Sequence, residues 1–76
     1  FEERCDRLVR VGHLSDRESD VLRLITKGRS ATRISEELHV SLNTVNTHTS
    51  HIYQKLQVHS RQELLDLFED TAPEES

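Results

Sequence analysis

Residues 30–56 read SATRISEELHVSLNTVNTHTSHIYQKL, and this stretch decides the fold. Ile34 and Leu38 are four residues apart and predict a short helix with a narrow apolar face. Shortly after it, Ser41 is a favoured N-cap residue and predicts the start of a longer helix over about Leu42–Leu56. Two helices joined by so short a turn are typical of a helix-turn-helix.

The longer predicted helix has two faces of opposite character. At about 100° per residue, Val45, Ile52 and Leu56 fall close to one line, and Thr49 lies with them. A helix that lies in the major groove of DNA needs a different opposite face, because amides and hydroxyls pair with base edges there. The opposite face of this helix has small hydrogen-bonding side chains and no acid, namely Asn43, Thr47, Ser50 and Gln54, with Asn46 and His51 on its flanks.

The charge distribution also favours a surface that faces a polyanion. The net charge is −4, which argues against a nonspecific nucleic-acid binder. However, no Asp or Glu occurs between Glu37 and Glu63, and this interval holds Lys55, Arg61 and four of the five histidines. An acid-free interval in an acidic chain is expected of a phosphate-binding surface, and chance clustering on a polar helix is the alternative interpretation.

Two further helices are predicted from the signals at their ends. Ser15 and Glu18 have the spacing of a capping box, which opens a helix over residues 16–27 that Gly28 ends. A second pattern of the same kind opens a last helix over residues 61–69. Together with the helix-turn-helix, these helices predict an all-α fold of four helices.

The chain divides into three predicted parts. Residues 1–13 are expected to be a linker or N-terminal extension from a missing upstream domain, either a frayed helix or the end of a linker that Gly12 breaks. Residues 14–70 form the helical domain, and residues 71–76 form an acidic tail. We expect the chain to be the C-terminal part of a larger protein.

Composition excludes several classes of function. Cys5 is the only cysteine, which excludes an intramolecular disulfide and argues against a zinc site, so we interpret it as an incidental thiol near the chain end. There is no apolar run of about 20 residues and no signal peptide, and we expect a cytoplasmic protein. With two glycines, no phosphate-binding glycine loop and no nucleophile motif, the chain is predicted not to be an enzyme and to need no cofactor or metal.

Residues 14–68 resemble the LuxR-type helix-turn-helix domain, which is also the output module of NarL-type response regulators. The matching positions keep their register without gaps. They are Leu14-Ser15, Arg17-Glu18, Val21-Leu22, Gly28, Ser30, Ile34, Leu38, Val40-Ser41, Thr44-Val45, His48, Ile52, Lys55-Leu56, Val58 and Arg61.

The resemblance implies sequence-specific binding of double-stranded DNA as the output domain of a transcriptional regulator. The helix over about Leu42–Leu56 would be the recognition helix in the major groove. The residues after the Thr-Val pair would contact bases, which together with the helix wheel gives Asn43, Asn46, Thr47 and Ser50. The predicted contacts to the DNA backbone are Ser30, Arg33, Ser41, Thr44, His51, Lys55 and Arg61.

Two departures from the family pattern bear on affinity and specificity. Asn46 stands where the family usually has Lys, and Ala31-Thr32 stand where it has Asn-Lys. We therefore expect weaker phosphate attraction and a shallower salt dependence than in a lysine-rich relative. Asn46 can instead pair with N6 and N7 of adenine, which is worth about 1–3 kcal/mol of discrimination.

The partner predictions concern the last helix and the missing region. Leu64, Leu65 and Phe68 are expected to form a homodimer interface, and the alternative is that they close the core against the first predicted helix. RNA polymerase and an upstream sensor domain are further candidate partners.

His48 lies at the core edge, where we expect one ring nitrogen to bond a carbonyl or carboxylate. The alternative function is a helix-turn-helix that serves as a protein-interaction module.

Overall fold

The computed structural model describes residues 2–71, with side chains from residue 3 onward, and this part is entirely helical. No strand occurs among these residues, as the all-α prediction required. The four predicted helices are present with ends within one residue of those expected, and a fifth helix precedes them. The helices are α1 (Glu2–Gly12), α2 (Asp16–Thr26), α3 (Ala31–Leu38), α4 (Leu42–Leu56) and α5 (Arg61–Asp70).

A serine hydroxyl caps the start of each helix from α2 to α5 and accepts a hydrogen bond from the backbone amide three residues later. At α2 the predicted capping box is complete, because the Ser15 amide also donates to Oε1 of Glu18 at 2.9 Å. At α5 the second predicted box is not reciprocal. Glu63 accepts from the amide of His59 instead of Ser60, whose φ of −154° is far more extended than the −72° of Ser15.

Residues 2–12 form a packed helix and not the end of a linker. Cys5 and Leu8 of α1 are buried in the core, and the guanidinium of Arg4 lies over the ring of Phe68, 5.8 Å from its centroid. Gly12 lets the end of α1 approach α4 closely, since a Cβ there would lie 2.8 Å from Cδ2 of Leu56. The expectation of an incidental thiol at Cys5 was wrong, because its side chain fills core space.

Helix α4 lies at the centre of the structure and packs against α1, α2 and α3. Its predicted apolar residues Val45, Ile52 and Leu56 are buried, which confirms the helix wheel. The turn between α3 and α4 uses a left-handed residue, His39 (φ 57°), and then Val40, which packs against the core. Residues 72–76 of the predicted acidic tail lie outside the described residues.

Candidate nucleic-acid interface

The predicted base-reading side chains share one exposed face of α4. Asn43, Asn46, Thr47 and Ser50 are all exposed, as the helix wheel required. The side-chain amides of Asn43 and Asn46 form no hydrogen bond with a described residue, so their donors and acceptors are free to meet a ligand. The hydroxyl of Thr47 donates to the Asn43 carbonyl at 3.0 Å, and its oxygen can still accept a hydrogen bond.

The starts of α3 and α4 differ from those of the other capped helices in charge. Neither has an acid in its first turn, whereas α2 has Asp16 and Glu18 there and α5 has Glu63. Ser30 and Ser41 cap α3 and α4 and are both exposed, and the hydroxyl of Thr44 lies 2.9 Å from that of Ser41. Helix starts with free amides and no acid attract phosphate oxygens, so the structure keeps these two helix starts available for DNA backbone contacts.

Lys55, a predicted phosphate contact, forms an ion pair within the chain. Its Nζ lies 2.6 Å from Oε1 of Glu18, whose side chain is 5% exposed. Burial alone raises the pKa of the Glu18 carboxyl, but the hydrogen bonds and charge of Lys55 and the bonds from Ser15 outweigh it, and the pKa is lowered from 4.5. A phosphate would therefore have to compete with a buried carboxylate for this lysine.

Arg61 is likewise engaged within the chain. Its guanidinium donates to the carbonyls of Ile25, at 3.4 Å, and of Arg29. These carbonyls lie at and beyond the C-terminal end of α2, where helix carbonyls lack partners within the helix. Arg61 thus joins the start of α5 to the end of α2.

Two further predicted backbone contacts, Arg33 and His51, have more exposed side chains. Arg33 donates to Glu37 at 3.1 Å on the surface of α3. His51 lies on the flank of the predicted base-reading face, with Nδ1 3.5 Å from Oε2 of Glu18 and more than half of its side chain exposed. Both can contact a phosphate without opening the core.

His48 does not form the hydrogen bond that we expected. It lies half-buried at the core edge of α4, as predicted, but its Nδ1 is buried without a hydrogen-bond partner in the described part of the chain. A buried ring nitrogen without a partner costs about 1–3 kcal/mol in general.

The predicted dimer residues of α5 occupy two different environments. Leu64 and Phe68 are buried in the core, while Leu65 is half-buried at its edge. The expectation that Leu64 and Phe68 are available to a partner was wrong, because both side chains are buried in the core, and α1 packs against α5 with Arg4 over the ring of Phe68. The alternative of core closure holds for these two side chains, but the helix that packs against α5 is chiefly α1, whereas the expected helix, α2, meets α5 through the bonds of Arg61.

Sequence reasoning missed Glu18 as a point where several elements meet. It recognised this residue only as part of a capping box, yet the same carboxylate also binds Lys55 and lies near His51. The partners are 37 and 33 positions away in the chain, and no local spacing reports such a contact. Only the packing of α4 against α2 could have revealed it.

Two negative findings limit the chemistry of the described residues. Among residues 2–71, no three His, Cys, Asp or Glu side chains are grouped so that they could hold a metal ion. Within the same range, none of the helices has both the length and the apolar character needed to cross a membrane.

The sequence of this chain is similar to those of known transcriptional regulators. An HTH-type transcriptional regulator of Mycobacterium tuberculosis is 46% identical over 55 residues, which is 72% of this chain and 6% of that protein. Oxygen regulatory protein NreC of Staphylococcus carnosus is 47% identical over 53 residues, or 70% of this chain and 24% of that protein. HTH-type transcriptional regulator MalT of Yersinia pestis is 46% identical over 56 residues, which is 74% of this chain and 6% of that protein. The chain spans a quarter or less of these relatives. No solved structure matches it.

The family match covers most of the chain. Residues 12–68, from the end of α1 into α5, match the family of bacterial regulatory proteins of the luxR type. This family consists of DNA-binding domains of transcription regulators and not of enzymes. The helix-turn-helix of α3 and α4, the exposed polar face of α4 and the family match agree. The chain therefore belongs to the luxR family of bacterial regulatory proteins, as the DNA-binding domain of a transcriptional regulator.

Proposed function

We propose that α4 enters the major groove and that Asn43, Asn46, Thr47 and Ser50 read base edges there. The observation that carries the proposal is the exposed, acid-free face on which the amides of Asn43 and Asn46 have no partner within the described chain. Amides can pair bidentately with adenine, and the methyl group of the exposed Thr47 suits the methyl group of thymine.

Backbone contacts come, in this proposal, from the two acid-free helix starts. Ser30 and Ser41 with Thr44 would hold phosphates at the starts of α3 and α4, and Arg33 and His51 would add contacts at the edges. The ion pair of Lys55 and the carbonyl bonds of Arg61 favour structural roles for these two cations, with phosphate contact as a secondary role. Few free cations should make the affinity depend only moderately on salt.

Two chains would bind half-sites related by a dyad, roughly 34–36 Å apart, as helix-turn-helix dimers do. The proposed dimer involves α5, whose Leu65 and Leu67 are half-buried and lie at the edge of the core. A cytoplasmic location, and RNA polymerase or an upstream sensor domain as further partners, complete the proposal. The names of the relatives, all regulators, are consistent with it.

A titration with duplex DNA at two salt concentrations tests the central claim. A random-sequence duplex pool is first enriched for sequences that the chain retains, and the affinity of an enriched duplex is compared with that of a scrambled one. We expect tighter binding to the enriched duplex and weakening at the higher salt. Absence of binding at low salt, with the fold intact by circular dichroism, would support the alternative of a protein-interaction module.

A further inference from the structure

We propose that Leu42, the first residue of α4, contacts the methyl group of a thymine and so adds specificity to the recognition helix. The inference rests on the proposed function, because it requires α4 to lie in the major groove. It adds a residue that the sequence prediction left out of the base-reading face. Among the unmodified bases, only thymine presents a methyl group in the major groove.

The exposure of Leu42 sets it apart from the apolar residues just before it in the chain. Leu42 is 45% exposed, and among the large hydrophobic residues of the described chain only Val11, on α1, is also exposed. By contrast, Leu38 at the end of α3 and Val40 in the turn both pack against the core. Packing within the chain therefore does not account for a leucine at position 42.

The capping of α4 does not account for this leucine either. Proline is favoured as the first residue of a helix, and acids in the first turn stabilise it. The other three helices with a serine cap begin with Asp16, Ala31 and Arg61, so only α4 among them begins with a large apolar residue. The side chain of Leu42 is thus available to an apolar group outside the chain.

Leu42 continues one row of the proposed base-reading face. Residues four positions apart lie one above the other on an α-helix, so Leu42, Asn46 and Ser50 form a single row. All three are exposed, and the first turn of α4 contains no acid that would repel DNA. A duplex that meets the amide of Asn46 therefore also meets the side chain of Leu42.

The dimensions of the two helices indicate which base pair is contacted. Four residues rise about 6 Å along an α-helix. Successive base pairs are about 3.4 Å apart along the duplex, so Leu42 contacts a base pair within about two steps of the one that Asn46 reads. A leucine side chain forms no hydrogen bond, and the group that complements it at a base edge is the thymine methyl.

Replacement of single thymines by deoxyuridine tests the contact, because it removes the methyl group and keeps the base pairing. A duplex enriched from a random pool receives deoxyuridine at one thymine at a time, and the affinity is measured by titration. We expect one such replacement to weaken binding of the parent chain by roughly threefold to fivefold, the factor for one buried methyl group. The same replacement should have no effect on binding of Leu42→Ala.

Three further variants provide controls. Val11→Ala truncates the other exposed hydrophobic residue and should keep the deoxyuridine effect. Thr47→Ser removes the other methyl group that is proposed to meet a thymine, and should keep the effect at the thymine assigned to Leu42. Leu42→Met retains an apolar side chain and should also keep it. Circular dichroism should show every variant folded, because all three positions are exposed.

The outcomes separate this proposal from the proposed function. A deoxyuridine effect that disappears in Leu42→Ala and persists in the three controls supports the contact. If the parent chain prefers the enriched duplex but no deoxyuridine weakens its binding, or if Leu42→Ala keeps every deoxyuridine effect, the Leu42 contact is overturned and the base-reading face stands. If the parent chain shows no preference for the enriched duplex over a scrambled one, both proposals fail.

Discussion

The two halves of α4 use most of their long polar side chains in different ways. In the first half, Asn43 and Asn46 are exposed and their amides bind no described residue. In the second half, Ile52 and Leu56 are buried and Lys55 is held by the carboxylate of Glu18. One half can thus change its contacts when DNA arrives, while the other fixes the direction of the helix. Substitutions in the two halves should separate binding from stability.

The largest expected effect lies in the anchored half. Ile52→Ala removes a fully buried side chain and should lower the free energy of unfolding by about 2–5 kcal/mol. Thr47→Ala, on the exposed face of the first half, should change it by less than about 0.5 kcal/mol. Urea denaturation followed by circular dichroism measures both. Equal losses in the two variants would contradict the division of α4.

The next effect concerns the first half of α4, where the amides of Asn43 and Asn46 have no partner among the described residues. Asn46→Ala should reduce discrimination between A·T and G·C at one position of an enriched duplex by about 1–3 kcal/mol, because the bidentate amide is lost. Its stability should stay at that of the parent chain, because the side chain is exposed. Competition binding with single-base variants of the duplex gives the measurement. Unchanged preference at every position would remove Asn46 from the reading face.

A smaller, pH-dependent effect is expected where the anchored half meets α2. The pKa of the Glu18 carboxyl is lowered from 4.5 in the folded chain, so its ionised form stabilises the fold fully above that pH and loses this contribution as the pH falls through the folded pKa. Glu18→Gln should cost about 1 kcal/mol at neutral pH, discounted because Lys55 is 38% exposed.

The comparison of the parent chain with Glu18→Gln across the acid range tests the sign. The difference in unfolding free energy should be constant above pH 4.5 and shrink below it. Asp16→Asn serves as a control on a neighbouring exposed carboxylate of the same helix. A difference that stays constant through the acid range would show that the ionised form of Glu18 does not stabilise the fold.

The smallest effect concerns two histidines of α4. His48→Leu removes a buried nitrogen that has no partner in the described chain, and should be neutral or stabilising by up to about 1 kcal/mol. His51→Leu loses a contact to Glu18 and should give no gain. Thermal unfolding compares the two variants. A marked loss of stability in His48→Leu alone would mean that its ring nitrogen has a partner, such as an ordered water.

Local spacing sufficed for the helix ends and for the exposed face of α4. The cap serines and Gly28 act on backbone groups within about four residues, and the periodicity of a helix separates Val45 and Ile52 from Thr47 and Ser50 without knowledge of any neighbour. For this reason the sequence alone predicts the helix-turn-helix.

The packing between helices settled what spacing along the chain leaves open. The bond from Lys55 to Glu18, the bonds from Arg61 to the end of α2 and the cover of α1 over Phe68 join residues that are distant in sequence. Their partners depend on how the helices lie against one another. A charged side chain pairs with the charged or polar group that packing brings near, and an apolar side chain packs against the nearest apolar surface. The sequence therefore predicted that Lys55 and Arg61 are free and that α5 has an open apolar face. The packing of the helices shows instead that both cations have partners within the chain and that Leu64 and Phe68 are buried.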